Sequence, residues 1–302
     1  MAHNATTNAN AAITVTGLHM TYRGGVEAVK GIDFEVATGE VFALLGPNGA
    51  GKTTTVEILE GFRHRSAGDV NVLGIDPAHA TRAWRDRVGI VLQSAGTSDD
   101  VSVTELLTLQ ATYHSNPLAV DEVVEMVGLT ESARMRVDRL SGGQQRRLDV
   151  ARGIIGQPEL LFLDEPTTGF DPEARRSFWD LINSLRRGGT TIVLTTHYME
   201  EAEILADRIG VIASGLMVAI GTPATLGGRD HADAVVRWTE NGEPNEQRSR
   251  TPAAVVTALV DRLGIDIADL TITRPTMESA YLDLVRQPLD NSSDSTTRGA
   301  RP

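Results

Sequence analysis

Cysteine is absent from the 302 residues. Disulfides, thiolate zinc sites, iron–sulfur clusters and a cysteine nucleophile are thereby excluded, and the composition suits a reducing compartment. Lysine is nearly absent as well: only Lys30 and Lys52 occur, beside many arginines. Basic charge as a whole is in deficit, with 28 Lys and Arg against 40 Asp and Glu and a formal net charge of -12. That balance argues against a chain whose main task is to grip phosphate backbones, so no nucleic-acid partner is expected. A membrane span is not expected either. The longest uncharged stretch, Ile209 to Gly228, is interrupted by glycines and by Pro223. It reads instead as a hairpin of Gly210–Ala213 and Leu216–Ile220, turning at Ser214-Gly215. Met1 to Ala12 lacks the basic start and apolar middle of a signal peptide. A chain soluble by itself is expected.

What is present is an ordinary globular balance, 41% hydrophobic and 23% charged residues, in a length that suits one large or two ordinary domains. Apolar alternation at Ile13–Leu18 and Ile32–Val36 predicts strands of a small antiparallel sheet. Val41–Leu45, Val88–Leu92, Leu160–Leu163 and Thr191–Leu194 are short, nearly continuous apolar runs, the pattern of buried parallel strands. Thr53–Glu60 and further helical patterns lie between them, so the middle of the chain is α/β with a mostly parallel sheet. Val103–Ile155 is helical in pattern and sits as an insertion. After Gly227-Gly228 the pattern restarts: strand Ala232–Trp238, helix Ala253–Leu263, strand Leu270–Ile272 and helix Met277–Val285. The last helix carries one apolar face, suited either to closing a small core of its own region or to packing against a partner chain. Disordered tails are expected at 1–12 and 288–302, the second rich in Ser, Thr, Asp and Arg.

Three segments carry chemistry. Gly46-Pro47-Asn48-Gly49-Ala50-Gly51-Lys52-Thr53-Thr54 fits G-x-x-x-x-G-K-[ST] and lies between a buried strand and a helix, as the P-loop requires. Gly49 and Gly51 let the backbone turn its N–H groups toward a phosphate, and the helix that follows adds its positive end. Lys52 supplies a compact charge to the outer phosphates in a chain that otherwise uses arginine. Thr53 offers a hydroxyl to Mg²⁺. In Leu160-Leu-Phe-Leu-Asp164-Glu165-Pro166, an apolar strand delivers Asp164 to the carboxyl edge of the sheet, where it can hold Mg²⁺ through water. Glu165 is then placed to polarise an attacking water. In Leu140-Ser141-Gly142-Gly143-Gln144-Gln145, Ser141 can cap a helix that starts at two bare glycines, a second anion site. Taken alone, it reads equally well as a plain helix start.

These segments, in this order, resemble the nucleotide-binding subunits of ABC transporters, from Ile13 to Leu226. The runs GPNGAGKTTTVEILEG, TTGFDP, THYMEEAE and RPTMESAYLDLV are similar to the daunorubicin/doxorubicin-resistance type of multidrug exporter ATPases. The resemblance implies a P-loop NTPase core with an N-terminal antiparallel β subdomain, and a nucleotide-binding domain over 13–228. Within that domain it implies a helical subdomain at about 96–155; a C-terminal α+β accessory domain follows at 229–287. It implies that Tyr22 stacks on adenine, that Gln93 touches Mg²⁺ and the attacking water, that Asp171 communicates across a dimer, and that His197 contacts the γ-phosphate. It further implies ATP and Mg²⁺ as cofactors, a second nucleotide-binding subunit facing head to tail as a homodimer, and integral-membrane permease subunits as partners. The chain would sit in the cytoplasm, peripheral to the cell membrane. Phe170 stands where leucine is commoner in the family, and the second strand of the late hairpin is unusually apolar.

Rival readings are a soluble ABC-type ATPase acting on a non-transport partner, a generic P-loop kinase or GTPase, and an inactive regulatory module. The single set of motifs speaks against the first. Ser141–Gln145 and the His197 strand end speak against the second, and intact Glu165 and His197 against the third. A metal cluster of His197, Glu200, Glu201 and Glu203 is weighed against acidic residues that simply suit the start of a helix. Arg146-Arg147 and Arg186-Arg187 are read as solvated helix faces.

Overall fold

The computed structural model describes residues 10–92, 100–229 and 231–286. Along the chain, β1 (Ala11–Thr21) and β2 (Glu27–Ala37) form an antiparallel pair. Ala11 and Ala12 thus belong to a strand and not to the tail expected over 1–12, whose residues 1–9 lie outside the described residues. Then come β3 (Val41–Leu45), α1 (Lys52–Leu59), β4 (Ala67–Val72), the short α2 (Arg82–Arg85) and β5 (Val88–Val91). The helical insertion contains α3 (Val103–Ala111), α4 (Val120–Met126) and α5 (Gly142–Ile154). The chain returns through β6 (Leu160–Asp164), α6 (Pro172–Arg187), β7 (Thr191–Thr195), α7 (Met199–Leu205), β8 (Arg208–Ala213) and β9 (Leu216–Gly221). The C-terminal region holds β10 (Ala234–Glu240), β11 (Glu243–Ser249), α8 (Pro252–Leu263), β12 (Thr271–Thr273) and α9 (Met277–Arg286).

The central sheet has the order β5-β6-β7-β3-β8-β9, parallel except for β9. Its strands read as continuous apolar runs because both faces are covered. The period of two sorts them: Val41, Ala43 and Leu45 enter the core beneath α5, α6 and α7, while Phe42 and Leu44 enter the core shared with the N-terminal sheet. Leu161 and Leu163 divide from Leu160 and Phe162 in the same way. The N-terminal sheet has the order β2-β1-β4. β4 escapes sequence reading because Ala67–Val72 buries only Val70 and Val72.

β8 and β9 form the expected hairpin, with Ser214 at φ 51° and Gly215 at φ 83° in its turn. The C-terminal sheet, β11-β10-β12, closes a small core of Val236, Trp238, Val255 and Leu259 with α8. β11 is polar throughout and shows no alternation. What forms it is Asn241-Gly242, both at positive φ, 56° and 80°, the two-residue turn that matches the twist of a hairpin.

Helix α9 does not join that small core. Met277 is buried in the main core, and Tyr281, Leu284 and Val285 pack against the same cluster, which also takes Val218 and Ala219 of β9. The unusual apolarity of β9 therefore has a partner in α9. Replacing Met277 with Ala is expected to lower stability by about 2–5 kcal/mol, the range for emptying a buried methionine or leucine site. Leu282→Ala, on the 37% exposed side of the same helix, is expected to change it by no more than about 0.5 kcal/mol. Thermal unfolding of the two variants checks this, and small equal losses in both would contradict the packing of α9.

Candidate nucleotide-binding site

Ligands of open parallel sheets sit outside the carboxyl ends of the strands, and three adjacent strands supply the site here. β3 runs into the Gly46–Thr54 loop, β6 ends at Asp164 and β7 leads to His197, and the order β6-β7-β3 makes these ends neighbours. A cleft of about 900 Å³ opens between them. Its walls include Tyr22, every residue from Gly46 to Thr54, Asp164, Glu165 and His197.

The loop needs its glycines for two reasons. A Cβ on Gly46 would stand 2.2 Å from the carbonyl oxygen of Ile212, so the backbone passes too close to β8 for any side chain. Gly51, at φ 108°, is the left-handed residue from which α1 starts, and a Cβ there would meet the Ala28 carbonyl at 2.5 Å. The Lys52 ammonium donates to the carbonyl oxygens of Gly46 at 2.7 Å and Pro47 at 3.2 Å. Burial lowers its pKa, opposed by the nearby carboxylates of Glu165 and Asp164. Thr53 remains exposed at the start of α1.

Tyr22 stands at the β1–β2 turn. Its hydroxyl is hydrogen-bonded to Thr54 Oγ1 at 2.9 Å, and the Arg63 guanidinium lies 5.0 Å from its ring centre. Across the cleft, the Thr195 hydroxyl donates to Asp164 Oδ1. Glu165 is held at φ 44°, a strained backbone for a non-glycine residue, with its N–H donating to the Thr195 carbonyl at 3.0 Å. Its Oε1 lies 3.3 Å from His197 Nδ1.

Other expected site residues are not on this cleft. Ser141 caps α5 by accepting from the Gln144 N–H at 3.3 Å, while Gln144 Oε1 accepts from the Ser141 N–H at 2.9 Å. Around Gly142 and Gly143, where side chains would stand, the space is open. Among the described residues, none crowds these two glycines at the helix N-terminus. Asp171 caps α6, accepting from the N–H groups of Glu173 at 3.0 Å and Ala174 at 2.8 Å. Gln93 lies outside the described residues, as does the expected tail at 288–302.

Sequence reasoning misjudged Arg146. It is not on a solvated face: it is 7% exposed, and its guanidinium donates to the carbonyls of Leu92, Asp164 and Pro166. One side chain thus ties the helix behind Ser141 to the strand ends at Asp164 and Leu92. The signal was available in the spacing of Arg146, Val150 and Ile154, which share one buried face of α5. The three glutamates after His197 separate. Glu200 is exposed, Glu203 pairs with Arg229 at 3.1 Å, and Glu201 is fully buried, its carboxyl pushed up by that burial. Val26, Glu27, Ala28, Met199 and Tyr281 line the rest of the cleft, and the sequence marked none of them as a site residue.

Comparison with known proteins gives this geometry its family. Residues 29–168 match the ABC transporter family. The daunorubicin resistance ATP-binding protein DrrA3 of Streptomyces coeruleorubidus is 38% identical, over 91% of this chain and 96% of its own length. The doxorubicin resistance ATP-binding protein DrrA of Mycobacterium tuberculosis is 32% identical, over 97% of this chain and 99% of its own length. Among solved structures, the dimeric ATP-binding cassette MJ0796 in a post-hydrolysis state bound to ADP and Pi has a TM-score of 0.64 at 23% identity, covering 70% of this chain and 98% of that one. The chain belongs to the ABC transporter family and is one of its ATP-binding, ATP-hydrolysing members. Within the family it is similar along nearly its whole length to the daunorubicin- and doxorubicin-resistance ATP-binding proteins.

The carboxyl of Glu60, at the end of α1, is pushed up to about 8 by burial and by the Asp164 and Glu57 carboxylates near it. The unfolded chain ionises this group near 4.5, so between the two values the folded state holds the extra proton and stability falls as pH rises. Glu60→Gln removes that dependence. The variant's advantage in melting temperature over the parent is expected to grow from pH 4.5 to pH 8. A difference independent of pH would contradict the assignment.

Proposed function

We propose that this chain is the energy-supplying subunit of an exporter. It binds ATP with Mg²⁺ in the described cleft, pairs head to tail with a second copy, and drives efflux, of drugs among other candidates, through separate integral-membrane permease subunits. The observation that carries the reading is the juxtaposition in one cleft of the Lys52 loop with the Glu165–His197 pair, 3.3 Å apart. The names of the relatives, resistance and export ATP-binding proteins, support the export direction. Among the described residues no helix is long and apolar enough to cross a membrane, which suits a subunit that works on the cytoplasmic face against a permease made by other chains.

The assigned roles draw on the family resemblance and are supported by position. Tyr22 offers its ring to adenine. The N–H groups from Asn48 to Thr54 surround the phosphates, and Lys52 exchanges its two carbonyl partners for phosphate oxygens. The exposed Thr53 hydroxyl and the Asp164 carboxylate are oxygen donors of the kind a hard divalent cation takes. Mg²⁺ held there supplies charge neutralisation at the transferred phosphate, and Gln93 is assigned to the same shell. Glu165 takes a proton from the attacking water, and His197, fixed against it, donates to the terminal phosphate. Ser141, Gly142, Gly143 and Gln144, with Asp171, lie off the cleft of their own chain. They face the nucleotide of the partner copy: the Ser141 oxygen accepts within its own helix and keeps its proton for donation outward.

Lys52→Ala removes a charge that contributes roughly 4 kcal/mol at 4 Å and an effective dielectric of 20. ATP affinity is expected to fall by about two to three orders of magnitude and phosphate release to stop. Glu165→Gln is expected to keep ATP affinity while turnover drops at least about 100-fold, the low end for losing a general base. Equilibrium nucleotide binding and a phosphate-release assay read both. Near-normal turnover in either variant contradicts the assignment of these residues.

A further inference from the structure

The C-terminal helix belongs to the accessory region by sequence and to the nucleotide cleft by position. Gly227, at φ 65°, turns the chain where α9 crosses it so closely that a Cβ would stand 3.1 Å from that of Ala280. Arg229 then fastens the crossing. Its guanidinium donates to the Pro223 carbonyl at 2.6 Å and the Pro275 carbonyl at 3.3 Å, and both terminal nitrogens reach Glu203 Oε1 at 3.1 Å. Pro275 immediately precedes the turn into α9, and Glu203 lies on α7, the helix that begins just after His197. The accessory helix is thus held against the element that carries the histidine end of the cleft.

One turn beyond the buried Met277, Tyr281 forms part of the cleft wall together with Met199 and His197. Its ring packs on the main core. Its hydroxyl makes no hydrogen bond to a described residue, and partial burial raises its pKa. The hydroxyl is not one of the fully buried polar atoms, so it opens on the cleft it lines beside His197. Packing accounts for the ring, and the oxygen is a donor offered to the cleft. A ligand that brings acceptors there would be met by it.

We propose that Tyr281 is a nucleotide-contact residue, whose hydroxyl donates a hydrogen bond to the terminal phosphate of ATP held in the cleft of the same chain. The accessory region is then part of the nucleotide site, and ATP is distinguished from ADP partly by a residue some 80 positions beyond His197. The proposal rests on the reading of the cleft as the ATP site.

The test uses the full chain with Tyr281→Phe, Tyr281→Ala and, in parallel, Lys52→Ala, titrated with MgATP and MgADP by calorimetry. Tyr281→Phe keeps the ring and loses only the donor. Its ATP affinity is expected to fall about tenfold, as for losing a hydrogen bond to a charged group, with ADP affinity changed less than about twofold and the melting temperature unaltered. Tyr281→Phe binding ATP as tightly as the parent overturns the proposal, even if Tyr281→Ala is destabilised, because that pattern marks packing alone. If Lys52→Ala loses affinity while Tyr281→Phe does not, the reading of the cleft stands and the role of Tyr281 falls. If neither loses affinity, both fall.

Discussion

The site depends on keeping one ammonium charged where water is mostly excluded. Lys52 is 7% exposed, and burial works against its charge. Two loop carbonyls and the carboxylates of Asp164 and Glu165 oppose that effect. The carboxylates are available only because β6 and β7 lie beside β3, so that loops distant in sequence share one sheet edge. That strand order in turn requires a sheet buried on both faces, which is why β3, β6 and β7 are apolar at nearly every position. In the proposed reading an incoming phosphate would replace the carbonyls as partner for a charge already in place, so little reorganisation would be needed on binding.

Much of this was legible in the sequence. The buried strands declare themselves as apolar runs, and the glycine spacing of Gly46–Thr54 has few uses besides a phosphate. The family resemblance implied that Tyr22, Asp164, Glu165 and His197 surround one nucleotide, and all four line one cleft. Features that rest on tertiary context were not legible. β11 has no apolar periodicity and exists because Asn241-Gly242 folds it onto β10. Arg146 looks like any helix-surface arginine until the strand ends bring three carbonyls to it. The face of α9 was visible as apolar, but what it covers depends on Gly227 and Arg229 turning the chain back to β9 and α7.

Under the proposed pairing, the same cleft is one half of a larger site. The helix start at Ser141–Gln144 is open, capped internally and away from the Lys52 loop, so a single chain presents two phosphate-directed elements that do not meet. The proposed head-to-tail pairing of two copies would let each element meet the other chain's nucleotide. Asp171 is bonded into the first turn of α6 six residues after Glu165, and in the proposed pair it would report the state of one site to the other.

Sedimentation of the chain carrying Glu165→Gln, saturated with MgATP and separately with MgADP, tests this most directly. A dimer is expected with ATP that reverts to monomer with ADP. Ser141→Arg, which places a bulky side chain at the open helix start, is expected to abolish the dimer while ATP still binds. A chain that saturates with ATP and stays monomeric at concentrations far above its nucleotide Kd would contradict it.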